Sequence, residues 1–255
     1  MNLDGRLKDH VRITRTALAV LFMLPAALTL RAEEPVATAA PAKSPAPFAD
    51  EIAKFVAWDR KNSFPQDAVL FVGSSSIRMW PTRESFPQWP VINRGFGGSA
   101  ISNVNDNFAR VVEPYHAKVI VLYAGDNDIA GGKTPQEVRD DFAAFVKLVR
   151  EKQPITPIVF LSIKPSNSRW NLWRRMTEAN ELIRAVCEQQ QAVTYLDMGT
   201  VLLGPDGQPR TELYRQDELH LSDAGYEVWS KTLAPVVQKL LEKTAAPKEE
   251  AQHGK

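Results

Sequence analysis

Moving a proton to and from a hydroxyl near neutral pH calls for an imidazole, and this chain has four histidines. His10 falls in a basic and apolar N-terminal stretch and His253 in a polar C-terminal end, so neither is expected to serve a folded site. His116 precedes an apolar strand-like run and reads as a surface or packing residue at the amino edge of a sheet. His220 remains, in Asp217-Glu218-Leu219-His220-Leu221-Ser222, immediately before a helical pattern. An aspartate three residues before a histidine can fold back to accept the Nδ1 hydrogen, which leaves Nε2 free as a base. The alternative for the same pair is a loop histidine beside a helix-capping aspartate.

Three short motifs supply partners for such a base. Gly73-Ser74-Ser75-Ser76 follows an apolar run, so one hydroxyl could stand at a helix N-terminus, where anions are stabilised. The other reading of these serines is N-capping of a short helix containing Ile77 and Trp80. This is not the G-x-S-x-G elbow, because position 77 is Ile. Gly95-Phe96-Gly97-Gly98-Ser99-Ala100 formally matches the dinucleotide pattern G-x-G-x-x-A, but no acidic residue ends a strand about 20 positions on. It also reads as a glycine turn, or as a source of a backbone N–H, that of Gly98, for a developing oxyanion. Gly125-Asp126-Asn127-Asp128 approaches a calcium loop and fails where Ala130 should be a ligand. Either it is a simple turn, or Asn127 is a carboxamide donor.

These motifs need a scaffold that brings them together. Runs rich in β-branched residues occur at 68–73, 90–93, 118–124, 157–163 and 192–197. They lack polar alternation, as strands buried on both faces do. Between them, Val138, Phe142, Phe145, Val146 and Val149 predict a helix over 136–152. Met176, Ala179, Ile183 and Val186 predict another over 176–190. A last helix is expected from Ser222, a suitable N-cap, to about Lys243, with Pro235 as a candidate kink. Strands alternating with helices imply a doubly wound α/β domain, whose ligands bind beyond the carboxyl ends of the strands. All the motifs above lie at such ends or before the last helix.

Taken together, FVGSSSIRMW, NRGFGGS, GDND and DELHLSDAGYEVW resemble, in order and spacing, the four blocks of the SGNH (GDSL-type) hydrolases, over essentially all of 68–240. The resemblance implies a flavodoxin-like three-layer α/β/α fold with a five-stranded parallel sheet of order 2-1-3-4-5. It implies a serine esterase with Ser75 as nucleophile, His220 as base and Asp217 as its orienting acid. The oxyanion donors would be the N–H groups of Ser75 and Gly98 and the Asn127 amide, with no cofactor and no metal. The family's first block usually reads G-D-S; here Ser74 stands at the Asp position, and Ser74 and Ser76 leave the choice of hydroxyl open.

Composition narrows the setting. A single cysteine, Cys187, excludes a disulfide framework, a Cys-rich metal site and a lipid-attachment cysteine near the N-terminus. Residues 1–32 read as an export signal: Arg6, Lys8, Arg12 and Arg15 precede the uncharged run 16–30, and Ala32 offers a small residue for cleavage. That run is shorter than the ~20 residues that span a bilayer and is interrupted by Pro25, so stable membrane insertion is expected only if the signal stays uncleaved. Residues 33–47 read as a Pro/Ala-rich linker, 48–244 as the catalytic domain and 245–255 as a disordered tail. The formal charge of +1 becomes −2 without the first 32 residues. Such a domain suits an uncharged or modestly charged partner, a small-molecule or glycan ester in the periplasm or outside the cell, and not nucleic acid. The loop after the fourth strand, 164–171, offers basic and aromatic groups at the crevice, or a solvated rim packed by Trp170 and Trp173. A lysophospholipase or thioesterase, and a non-catalytic carbohydrate-binding module on the same fold, are the competing functions.

Overall fold

The structure, a computed structural model, describes residues 48–245. The expected signal (1–32), the linker (33–47) and all of the tail beyond Ala245 lie outside the described residues.

The five apolar runs form β1 (Val69–Gly73), β2 (Val91–Gly95), β3 (Val119–Tyr123), β4 (Ile158–Leu161) and β5 (Val193–Leu196). All pairings are parallel and the order is β2-β1-β3-β4-β5, as expected. The three central strands are buried at every residue, which is why their sequences show no polar alternation. The edge strands β2 and β5 are partly open. Successive side chains point to opposite faces and so feed two cores. Leu70, Val72, Ile120, Leu122, Ile158 and Phe160 belong to one, and Val69, Phe71, Val121, Tyr123, Val159 and Leu161 to the other.

In chain order the helices are α1 (Ala49–Lys61), α2 (Ser75–Arg78), α3 (Thr82–Ser85), α4 (Ile101–Asp106), α5 (Phe108–Val111), α6 (Asp126–Ala130), α7 (Pro135–Lys152), α8 (Trp173–Gln189) and α9 (Asp223–Ala245). The first core is covered by α1, α4, α5, α7 and α8, and the second by α2 and α9 with the loops around them. The result is a single three-layer α/β/α domain. The start of α7 follows from its sequence: Thr134 accepts from the Glu137 N–H, Glu137 reaches back to the Thr134 N–H, and Pro135 opens the first turn. Its apolar stripe is buried as the periodicity required. The Ser222 hydroxyl accepts the Gly225 N–H at 3.2 Å and starts α9, which runs through Pro235.

The longest element not foreseen precedes β1. The stretch Ala49–Lys61 is helical and inserts Ile52 into the first core. His116 is exposed before β3, consistent with a surface role. The sheet order reverses between β1 and β3, so the crevice opens where Ser75 and Asn127 emerge.

Candidate active site

Gly73 ends β1 at φ 137°, and a Cβ there would stand 1.8 Å from the Tyr123 carbonyl oxygen. Only glycine lets the chain run this close to β3, and the Ser74 N–H donates to that same oxygen at 2.9 Å. Ser74 takes the extended N-cap position of α2, yet its hydroxyl makes no cap bond. That hydroxyl is fully buried with no partner among the described residues, so the capping alternative is not realised. Ser76 is buried as well. Ser75, the first residue of α2, is the one hydroxyl of the three that reaches the crevice. Its Oγ lies 2.9 Å from His220 Nε2.

His220 is delivered by a tight loop. An isolated antiparallel bridge joins Tyr214 to Leu221, the Arg215 N–H donates to the His220 carbonyl at 2.8 Å, and Glu218 turns the chain at φ 55°. Asp217 Oδ1 accepts the N–H groups of Leu219 and His220 at 3.0 and 2.9 Å, while Oδ2 meets His220 Nδ1 at 2.6 Å. Desolvation opposes ionisation of Asp217, but the bonds from the His220 ring and the two amides outweigh it and hold the carboxyl down at about 2. Asp217 therefore stays a carboxylate that fixes the ring with Nε2 toward Ser75. It orients the histidine and caps nothing; Ser222 does the capping.

The turn is pinned from beneath by the loop after β4. The buried Lys164 Nζ donates to the Leu219 carbonyl at 2.6 Å, and the Ser168 N–H and hydroxyl both meet the Glu218 carbonyl at 3.2 Å. Burial lowers the Lys164 ammonium from the ordinary 10.5 to about 8.

The loop after β2 is fixed amide by amide. The N–H groups of Gly95, Phe96, Gly97, Ala100 and Ile101 donate to Asn93 Oδ1, the Gly73 carbonyl, Glu51 Oε2, Asn103 Oδ1 and the Asp128 carboxylate. Gly98 and Ser99 have the two amides of this loop without a partner among the described residues, and Gly98 sits exposed at φ 76°. The glycines allow α2 to approach, since a Cβ on Gly95 would lie 2.3 Å from the Arg78 nitrogen. The N-terminus of α4, where a dinucleotide pyrophosphate would sit, is held by Asp128 instead.

Asn127 joins this loop to the others. Its Nδ2 donates to the Ser99 carbonyl at 3.1 Å and its Oδ1 accepts from Arg169 Nη2 at 3.0 Å. Arg169 Nη1 pairs with Asp126 Oδ2 at 3.1 Å. The near-match to a calcium loop is thus a helix start, α6, whose polar side chains are engaged by the protein.

The structure brings Ser75, His220 and Asp217 into one chain of hydrogen bonds and places Asn127 against the Gly98–Ser99 turn. Sequence reasoning missed Glu51 and Asp128, which hold that turn, and offered Lys164 and Arg169 as basic groups at the crevice without their partners, the Leu219 carbonyl and the Asp126 and Asn127 side chains. Asp128 lay inside a block already singled out, whereas Glu51 lies 46 residues from Gly97 and gave no local signal.

The model of the GDSL-like Lipase/Acylhydrolase family matches residues 76–228. This chain belongs to that family. Platelet-activating factor acetylhydrolase IB subunit alpha1 of Homo sapiens is 30% identical over 197 residues, covering 74% of this chain and 81% of that protein. The alpha2 subunit of Gallus gallus is 30% identical over 193 residues, covering 72% and 81%. A solved structure from Streptococcus pneumonia, named for platelet activating factor, superposes with a TM-score of 0.67 at 26% identity, covering 74% of this chain and 92% of that one. A GDSL-like lipase of Bacteroides thetaiotaomicron shares the fold with a TM-score of 0.63 at 16% identity, covering 74% and 97%. The GDSL family match spans Gly98, Asn127, Asp217 and His220 and begins one residue after Ser75. Within this family member, the choice of Ser75 over Ser74 and Ser76 therefore rests on burial and on its contact with His220.

Proposed function

We propose that this GDSL-family chain is an exported serine esterase that removes small acyl groups, acetyl above all, from alcohol or glycan esters. The observation that carries the reading is the Ser75–His220–Asp217 relay, with separations of 2.9 and 2.6 Å. Ser75 Oγ attacks the ester carbonyl while His220 Nε2 takes its proton, and the Asp217 carboxylate stabilises the imidazolium. The tetrahedral oxyanion is met by the Ser75 and Gly98 N–H groups and the second Nδ2 hydrogen of Asn127. Its collapse breaks the acyl–oxygen bond, and His220 returns the proton to the departing alkoxide. Water, deprotonated by His220, then releases the carboxylic acid and restores Ser75.

The acetyl preference is supported by the relatives named acetylhydrolases. Trp170 and Trp173 stack on each other with ring centroids 6.0 Å apart and Trp173 packs on the first core, so a glycan substrate is supported by the near-neutral charge of residues 33–255 and not by these rings. Export is supported by the composition of residues 1–32.

Ser75→Ala is expected to abolish hydrolysis of p-nitrophenyl acetate and fluorophosphonate labelling while leaving the thermal midpoint in place. Full turnover in that variant overturns the assignment. Esters graded from acetyl to dodecanoyl, followed by acetylated glycans, test the substrate class, with rates expected to fall as the chain lengthens. The N-terminus of the protein recovered from the host's envelope and medium tests export.

A further inference from the structure

Asn127 can serve an oxyanion only in one of its two amide orientations. The planar side chain is nearly symmetric in shape, so packing alone does not distinguish Oδ1 from Nδ2. In this protein two groups of opposite character decide it. The Ser99 carbonyl only accepts and faces Nδ2 at 3.1 Å; the Arg169 guanidinium only donates and faces Oδ1 at 3.0 Å. Flipping the amide would set acceptor against acceptor and donor against donor. Asparagine carries two Nδ2 hydrogens, so one remains after the Ser99 bond is made.

Arg169 is itself held. It lies in the 3-10 segment Asn167–Leu172 after β4, at a residue with φ −122° and ψ 22°, and its second arm is paired with Asp126 at 3.1 Å. The Asp126 side chain is 7% exposed and that of Arg169 20%. The planar fork reaches two neighbouring acceptors, Asp126 Oδ2 and Asn127 Oδ1, at once, a geometry that a lysine ammonium matches less well. Loops following β2, β3 and β4 thus converge on one amide.

We infer that Arg169 is a positioning residue of the oxyanion site: it locks the Asn127 amide with its free N–H toward the developing oxyanion. The bond from a charged donor to Oδ1 also polarises the amide and strengthens that N–H as a donor. The role rests on the esterase reading above and adds to it a residue outside the four family blocks.

The test is a double-mutant cycle on p-nitrophenyl acetate with Arg169→Met, Arg169→Lys, Asn127→Ala and Arg169→Met/Asn127→Ala, each checked for thermal midpoint. Arg169→Met is expected to lower kcat about 10- to 100-fold with KM changed less than about 3-fold, below the ~10²–10³-fold typical of deleting an oxyanion donor outright. Arg169→Lys should recover part of the loss. In the Asn127→Ala background, Arg169→Met should have no further effect, because the residue acts through the amide. An unchanged kcat in Arg169→Met, or an equal loss with and without Asn127, overturns the inference. If leaving Asp126 unpaired prevents folding, Asp126→Asn/Arg169→Met removes the pair together and is read against Asp126→Asn in the same way. Ser75→Ala separates the two levels: turnover retained there overturns the esterase reading itself. A dead Ser75→Ala beside a fully active Arg169→Met overturns only the role of Arg169.

Discussion

Lys164 Nζ donates a 2.6 Å hydrogen bond to the Leu219 carbonyl oxygen, so a buried ammonium holds the turn that presents His220. The cost of burying that charge is visible in its lowered proton affinity, about 8 against an ordinary 10.5.

A pH dependence of stability follows. Below about pH 8 both folded and unfolded chains carry the charge, and the folded state bears its desolvation in full. Between about 8 and 10.5 the unfolded chain binds a proton that the folded chain has released, so stability rises with pH. Relative to Lys164→Met, the wild-type protein should gain on the order of 2–3 kcal/mol between pH 7 and pH 10, measured by urea unfolding. A constant difference across that range would show that Lys164 does not titrate as its burial requires.

Asp217 behaves in the opposite sense. Its folded carboxyl, at about 2, lies below the ordinary 3.8, so its contribution to stability is present above about pH 4 and is lost as pH falls through 2. The acid limb of the activity profile should therefore arise from a group other than Asp217, which is still ionised there. Asp217→Asn should lower kcat by about 10³–10⁴-fold while KM stays close to wild type. A kcat–pH profile with an acid limb near pH 2 would contradict this division of roles.

Glu51 accepts the Gly97 N–H at 3.0 Å and pairs with Arg78 at 2.8 Å, tying α1 to both the Gly98 turn and the helix that carries Ser75. Glu51→Ala should cost about 1 kcal/mol of stability and lower kcat about 3- to 10-fold, whereas Glu51→Gln keeps an acceptor and should stay near wild type. Steady-state kinetics on both variants decide whether the acceptor or the charge matters. The ion pair itself is half-exposed and is expected to add little.

The Tyr226 hydroxyl donates to the Ser76 carbonyl at 2.9 Å, joining α9 to α2 inside the second core. Tyr226→Phe keeps the ring and leaves that carbonyl unpaired, so unfolding should become about 1–2 kcal/mol easier. Trp229→Ala, which empties a fully buried indole packed on Trp80 and Tyr123, should cost about 3–5 kcal/mol. Calorimetric or urea midpoints for the two variants should rank in that order.

The sheet was legible in the chain because burial on both faces leaves a plain mark: β1, β3 and β4 are uninterrupted apolar runs, and the helices between them carry a 3.6-residue stripe. The short distance between Asp217 and His220 made their pairing legible too, since a turn of three residues is enough to close it. α1 escaped notice because only Ile52 of its residues is fully buried, so its stripe is thin. A 3-10 segment such as Asn167–Leu172 has no extended periodicity to betray it.

By itself the sequence determined the order of the strands and long helices and singled out His220, beside Asp217, from the four histidines. Only the tertiary structure showed that, of Ser74, Ser75 and Ser76, it is Ser75 that meets His220, because burial of a side chain depends on what packs over it and not on its neighbours in the chain. The same holds for Glu51, Lys164 and Arg169, which act across 46, 55 and 42 residues. Their partners are set by how loops from different strands converge at one end of the sheet, and no local spacing records that convergence.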